Sequence, residues 1–355
     1  MFTLPEGFEA RLSAEDVQSL ERLAKQEGAM SQRDANLPAQ RPRLPLTESA
    51  GLQPDDVMSE AGRKILAHFF ARMLAEEDNV RQKGGTDPIH DMRVATRRLR
   101  SALDTFEAYY HYKAIKPFMK MLRKVARSLG AVRDLDVFRI KADTYAESLP
   151  EDSRSGLQAL LNDWQGQLDD ARAALIDVLD GQNYSQFVAE FAHFVTTPDK
   201  DAIKISHKER AMPHQVRHVA PRLIYQRYEV VRAYETVLDD ASLDTLHMLR
   251  IDAKRLRYML ESFEEVLGKE VKAVIEASKT IQDHLGDLQD ARVAGVLMSE
   301  YVREAGEQER TSAVLQYMAV REEEKQRLLA QVPQVWQAFT HPDLRRALAL
   351  AVSIL

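Results

Sequence analysis

The sequence predicts an all-α protein built as two pseudo-symmetric, antiparallel four-helix-bundle-like halves, each with an outer helical hairpin. Three observations predict it. From Pro54 onward apolar residues recur at helical spacing, and glycine and proline fall only at punctuation points. No stretch reads as a credible strand, and neither a GxGxxG nor a P-loop pattern is present. Finally, landmarks of the first half return in order in the second, at offsets of 156 to 159 residues.

The elements follow in chain order. Residues 1–53 read as an N-terminal arm, with a short amphipathic helix over Ser13 to Gln26 and then a Pro-, Gln- and Arg-rich stretch. The domain proper is expected over 54–355, as a first helical repeat at 54–197 and a second at 213–355. Its first helix is expected to start near Pro54-Asp55-Asp56, where proline and first-turn acids suit a helix N-terminus, and to end near Glu77. The next covers Ile89 to Phe106, and Pro117 marks the start of a third. Leu129-Gly130 is read as a break, with a further helix from Asp134 to Leu149. A long helix from Ser153 to Asp180 and an aromatic-rich one from Tyr184 to Val195 complete the half. After a seam at Thr197 to Met212 the order repeats. Pro213, Val216, Ala220, Arg222 and Ile224 match Pro54, Val57, Ala61, Arg63 and Ile65 (213 − 54 = 159). A helix over Lys269 to Leu285, a second Leu-Gly break at Leu285-Gly286, a long helix over Glu309 to Gln331 and a terminal pair close the chain.

Charge is distributed unevenly. The chain carries 49 Lys and Arg against 55 Asp and Glu, a net charge of −6. Yet Thr86 to Arg133 holds eleven basic residues against four acidic ones, while Arg139 to Asp180 holds four against nine. Local charge decides what binds. The absence of cysteine excludes disulfides and thiolate metal sites. No secretory signal and no apolar run long enough for a bilayer is read, so a cytoplasmic protein with no membrane partner is expected.

The functional signal lies in two matched helices. In the first, His90, Arg93, Arg97 and Arg100 fall within an arc of roughly 80°. Met92, Ala95, Leu99, Leu103 and Phe106 lie opposite. In the second, His247, Arg250, Lys254 and Arg257 repeat the spacing (247 − 90 = 157), and Arg98 recurs as Arg255. Solvated helix faces mix signs, with acids four residues from bases; these arcs contain no carboxylate. Lys120, Arg123, Lys124 and Arg127 form a third arc of about 100°. Cations at one-turn intervals make a ladder for phosphate oxygens. If the two halves face each other the ladders line one groove, whose natural occupant is a linear polyanion.

Other candidates are weaker. His90 and His247 each lack an i+4 ligand partner and sit among arginines that repel a metal cation, so a phosphate contact fits better than metal binding. His214 and His218 have HxxxH spacing without an acidic third ligand nearby and are read as a helix start. Asp134, Asp136 and Asp290 follow the Leu-Gly breaks, and an arginine-orienting or helix-capping role suits them better than acid–base work. Trp164, Trp336, Phe187, Phe191 and Phe194 are read as core. No catalytic residue, metal or cofactor is assigned.

The pattern HxxRVxxRRLR at His90 to Arg100, its second copy HxxRIxxKRLRY at His247 to Tyr258, and Leu-Gly-x-x-Arg-Asp-x-Asp-Val at Leu129 to Val137 resemble the CHAD family, the conserved-histidine α-helical domain. The resemblance covers about Pro54 to Leu355. It implies two four-helix bundles around a basic channel that binds inorganic polyphosphate, with His90, Arg93, Arg97, Arg100, His247, Arg250, Lys254 and Arg257 at the site. Arg63, Arg98, Arg133, Arg222, Arg255 and Lys279 are added as candidates, Lys279 with Lys120, Arg123, Lys124 and Arg127 extending the track. The second copy departs from the first with Gln289 for Arg133 and Asp283 for Arg127, which weights the basic lining toward the first half. The expected function is non-catalytic polyphosphate binding. The alternatives are a nucleic-acid-binding helical module, disfavoured because the arcs hold no aromatic residue, and an accessory subunit of a phosphate-processing enzyme. Storage, targeting to polyphosphate granules and regulation stay open as roles, as does oligomeric state.

Overall fold

The computed structural model describes residues 44–83, 86–204, 212–304 and 312–355. The helix expected over Ser13 to Gln26 lies outside them. Ten helices carry the described chain, together with a single turn at Glu151–Arg154 and short 3-10 segments. No strand occurs among the described residues; Val57 with Gln215 and Tyr110 with Ala202 form isolated bridges.

The first five helices are α1 (Met58–Lys83), α2 (Thr86–Phe106), α3 (Tyr112–Ser148), α4 (Gln158–Asp180) and α5 (Gln182–Thr196). The second five are α6 (Val216–Arg232), α7 (Leu243–Phe263), α8 (Val271–Glu304), α9 (Ser312–Thr340) and α10 (Pro342–Val352). Packing runs through the same order twice: α1 on α2, α2 on α3 and α3 on α4, then α6 on α7, α7 on α8 and α8 on α9. The faces that meet are the apolar ones. On α2, Ile89, Met92, Ala95, Leu99, Leu103 and Phe106 are buried. On α7, Leu246, Leu249, Ala253, Leu256, Leu260 and Phe263 are. The start of α7 is fixed by Ser242, whose side chain accepts a hydrogen bond from the Thr245 backbone N–H at 3.1 Å.

Several boundaries differ from the sequence reading, and each difference has a physical reason. The Leu-Gly pairs break nothing: α3 and α8 run unbroken for 37 and 34 residues. A mid-helix glycine costs roughly 0.5–1 kcal/mol relative to alanine, which the burial of Leu122, Val125, Leu129 and Val132 on one face of α3 outweighs. Pro117 is the sixth residue of α3 and does not start it; the helix gives up one backbone hydrogen bond there and runs on. The first helix begins at Met58 because Pro54 to Asp56 form a turn, in which Asp56 accepts from the Gln53 N–H at 2.8 Å. It continues past Glu77, whose carboxylate is buried against Arg81 at 2.8 Å. The stretch from Ser153 divides at a 3-10 turn before Gln158. Finally, α9 passes through Pro333 to Thr340, so one terminal helix, not a pair, follows it.

The apolar residues form two cores. The larger joins both sets of helices; within it Phe70 and Phe118 each meet Phe187 and Phe191 edge to face, and Phe194 lies tilted against Phe118. The smaller lies where the far ends of the α3–α4 and α8–α9 hairpins meet: Phe138, Ala142, Leu160 and Trp164 pack with Ala294, Met298, Val314 and Tyr317. There the rings of Tyr145 and Tyr317 stack at 4.8 Å. The aromatic residues read as core are therefore core, with Trp336 partly buried at its edge.

Candidate functional site

The site is made by α2 and α7 lying side by side in the same sense. The rings of Phe106 and Phe263, each the last residue of its helix, approach to 5.7 Å. Arg98 on α2 pairs with Glu261 on α7 at 3.0 Å. Conversely, Asp104 on α2 lies in the field of Arg255 on α7. The two contacts join equivalent positions of the sequence repeat (98 + 157 = 255, 104 + 157 = 261). The His/Arg edges of the two helices lie close enough for Arg97 to feel Arg250 and for Lys254 to feel Arg93, Arg97 and Arg100.

The electrostatic signature follows from that approach. Burial, reinforced by Arg250, Arg97, Arg93 and Arg100, pulls the Lys254 ammonium from its usual range down to about 7. Burial also depresses Arg97, to about 10; Tyr258 opposes this, while Arg93, Arg257 and Arg250 add to it. Arg97 stays protonated at neutral pH. Arg100 is lowered by burial, partly offset by Asp104. His90 is lowered by burial, then by Arg133, Arg97 and Arg93, and His247 by burial, then by Arg250, Lys254 and Arg292. The buried Nδ1 atoms of both histidines and the Nε atoms of Arg97, Arg100 and Arg250 have no hydrogen-bond partner among the described residues. Buried donors without acceptors are uncommon in folded proteins; other arginines, Arg172, Arg217, Arg232 and Arg321, also carry such an Nε, but α2 and α7 bring theirs together with two histidines.

Carboxylates border this groove at both ends. Asp134 of α3 stands 4.0 Å from Arg93. Burial raises Asp134 and Asp290 above the usual carboxylate range, and each lies in the field of Arg250. At the other end Asp104 faces Arg100 and Arg123. Because α3 and α8 are unbroken, Asp134, Asp136 and Asp290 are mid-helix residues and cap nothing. Asp136 pairs with Arg172 at 3.1 Å.

The remaining candidates separate by location. Arg133 is close enough to influence His90. Lys120, Arg123, Lys124 and Arg127 are exposed on α3, without an ion pair to another described residue. Arg257 is buried, over the Tyr258 ring at 4.8 Å and 3.3 Å from Glu261. Four others are held elsewhere. Arg63 pairs with Glu60 at 2.5 Å and donates to the Val195 carbonyl at 2.8 Å. Arg98, with Glu261, lines a separate cleft of about 660 Å3 with His68, Arg72 and Glu265. Arg255 pairs with Asp252 at 3.1 Å and Lys279 with Glu276 at 3.5 Å. Arg222 is exposed on α6 near Tyr109. The sequence reading missed Tyr258, over which both Arg97 (5.4 Å) and Arg257 sit. The position matching it in α2 is Ser101 (258 − 157), so the repeat gave no signal. No group of three or more metal-binding side chains occurs among the described residues, His214 and His218 included. Nor is any described helix long and apolar enough to cross a membrane.

Comparisons with known proteins agree with this architecture. The CHAD domain crystal structure from the plant Ricinus communis matches with a TM-score of 0.58 at 23% identity, over 88% of this chain and 97% of that one. PptA from Streptomyces chartreusis matches with a TM-score of 0.61 at 12% identity, over 79% and 100%. Two uncharacterized proteins of Mycobacterium tuberculosis, from strains CDC 1551 and H37Rv, are 30% identical over 222 residues, 59% of this chain. The match spans 39% of the length of each of those relatives. The CHAD domain family profile covers residues 64–299, spanning both His/Arg helices, and the chain therefore belongs to the CHAD domain family.

Proposed function

We propose that this chain binds inorganic polyphosphate, without turning it over, in the groove between α2 and α7. One observation carries the reading: Arg93, Arg97, Arg100, Arg250 and Lys254 are gathered together, and burial, with these neighbouring cations adding to it, depresses Lys254 to about 7. Such crowding destabilises the free protein, and a ligand that brings distributed negative charge relieves it. A chain of phosphates does so with little apolar demand, each unit accepting from a fork-shaped guanidinium. The association of the CHAD domain family with polyphosphate binding supports the same reading. So does the repeated packing order of the helices, in which each set of five contributes one ladder.

Lys120, Arg123, Lys124 and Arg127 extend the track over α3, with Arg123 joining it to the groove beside Arg100. A cytoplasmic site of action, at or away from polyphosphate granules, belongs to the same proposal. Nucleic acid is the poorer ligand. Tyr258, the ring that Arg97 and Arg257 lie over, is buried and offers a base no open face. Titration calorimetry with long-chain polyphosphate, beside RNA at matched charge and salt, tests the reading. Tight polyphosphate binding with no phosphate release is the expected result; equal or stronger RNA binding overturns it.

A further inference from the structure

We propose that the Tyr258 ring, backed by Glu261, positions the Arg97 guanidinium for phosphate without itself touching the ligand, a role that rests on the polyphosphate reading of the groove and deepens it.

Five side chains form a closed circuit between α2 and α7. The Arg97 guanidinium lies 5.4 Å from the centre of the Tyr258 ring, and that of Arg257 lies 4.8 Å from it. Arg257 Nε stands 3.3 Å from one carboxylate oxygen of Glu261, and Arg98 Nε donates to the other at 3.0 Å. Arg98 follows Arg97 on α2, which closes the circuit. Its inner members are shut off from solvent, Tyr258 at 2% exposure and Arg257 at 7%, so neither is open to a ligand. The Tyr258 hydroxyl is buried without a hydrogen-bond partner among the described residues. Within the protein it is therefore the ring that makes the contact.

A guanidinium is drawn to the face of an aromatic ring, more strongly where water is excluded. Two cations beside one ring also repel each other. Glu261 answers the charge of Arg257 and of Arg98, and so leaves the ring able to hold Arg97 as well. The repeat has no second copy of this device: Lys254 stands where Arg97 does, and Ser101 where Tyr258 does (97 + 157 = 254, 258 − 157 = 101). One helix thus offers a planar fork held at a set angle, the other a point charge on a flexible stem. A fork already held in place gives up less freedom when it binds a phosphate.

The test uses the full-length protein, with calorimetry against long-chain polyphosphate and NMR of the Arg97 side chain in the ligand-free state. Tyr258→Leu keeps apolar bulk but removes the ring, and affinity should fall between about two- and thirtyfold. Tyr258→Phe should restore it; a loss as large as that of Tyr258→Leu would assign a ligand contact to the hydroxyl and overturn the positioning role. Glu261→Gln should weaken binding in the same direction. In an Arg97→Gln background Tyr258→Leu should cost nothing further, whereas a general loss of packing would weaken binding there too. In the wild type the Arg97 Nε–H resonance should be ordered and shifted by the ring. An unshifted, mobile Arg97 overturns the assignment whether or not the variants fold. A wild type that shows the ring shift but binds no polyphosphate removes the polyphosphate reading and leaves Arg97 held by Tyr258. Polyphosphate binding that Tyr258→Leu leaves unchanged does the reverse.

Discussion

Helices α3 and α8 occupy matching places in the chain order, and comparing them separates what the groove needs from what one flank adds. Leu129 and Leu285 are both buried, Gly130 and Gly286 both lie mid-helix, and Asp134 and Asp290 both face Arg250 (285 − 129 = 156). At the same offset, exposed Lys120 becomes Glu276, Lys124 becomes Thr280 and Arg127 becomes Asp283. Half-buried Arg133 becomes Gln289. The shared positions are those that build the core or border the cation cluster. Apart from Arg133, the positions that differ look outward; Arg123 keeps a basic counterpart in Lys279, yet the α3 flank is uniformly basic there while that of α8 is mixed in sign. On this view the groove is a property of both halves, and the ladder leading out of it belongs to one.

The comparison breaks outright if the groove itself is dispensable. Arg97→Glu combined with Lys254→Glu reverses one charge on each side of the groove. Each reversal forfeits several kcal/mol of charge pairing, so affinity for long-chain polyphosphate should fall on the order of 10³-fold or more. Thermal unfolding should shift little, because the change relieves repulsion among Arg93, Arg100 and Arg250. Unchanged calorimetric affinity would place the ligand elsewhere.

A second effect comes from pH. Free Lys254 loses its proton as pH rises through about 7, whereas beside bound phosphate it keeps it. Binding therefore takes up a proton, and affinity should drop between about ten- and fiftyfold from pH 7 to pH 9. Stability of the free protein runs the other way. The unfolded chain holds the extra proton between pH 7 and the usual lysine range, so the penalty of the buried cation fades as pH rises through that window. Calorimetry in buffers of differing ionisation enthalpy reads the proton uptake directly.

The flank is tested by Lys120→Glu, Lys124→Glu and Arg127→Glu together. Each exposed charge contributes up to about 1 kcal/mol, so a loss of roughly tenfold is expected for long chains, with a shallower dependence of affinity on salt. Short chains that fill only the groove should be insensitive. On α8, Lys279→Glu should do little, since Glu276 already holds Lys279 at 3.5 Å. Equal losses from α3 and α8 variants would mean that the flanks are equivalent after all.

How much of this was readable in advance depended on what kind of force decides each feature. The arcs of α2 and α7 were readable because one-sided charge at helical period survives in any environment, and their repetition at 157 residues pointed to a common groove. The destinations of Arg63 and Arg98 were not, because Glu60 and Glu261 compete for them only once the helices are packed. Glu60, three residues before Arg63, is the local signal that was available. The Leu-Gly breaks failed for a related reason. Local propensity marked Gly130 and Gly286 as interruptions, while the apolar stripe on either side of each kept the helix intact. Misplacing those boundaries is also what turned Asp134 and Asp290 into apparent caps, when their surroundings are the arginines of the groove.

Those two glycines give the finest test of the comparison. A Cβ at Gly130 meets nothing within 4 Å, so Gly130→Ala should stabilise the protein by about 0.5–1 kcal/mol and leave binding untouched. A Cβ at Gly286 lies 3.5 Å from the Arg250 Nε and 3.9 Å from its terminal nitrogen. That is ordinary contact, so Gly286→Ala should bring a similar gain in stability. It also leaves the Arg250 guanidinium less room to follow a ligand, and polyphosphate affinity should drop two- to threefold, about 0.5 kcal/mol. Thermal melts and calorimetry on the two variants separate the outcomes. Identical binding by both would show that Arg250 does not reposition when the groove is filled, and that the groove is already set before its ligand arrives.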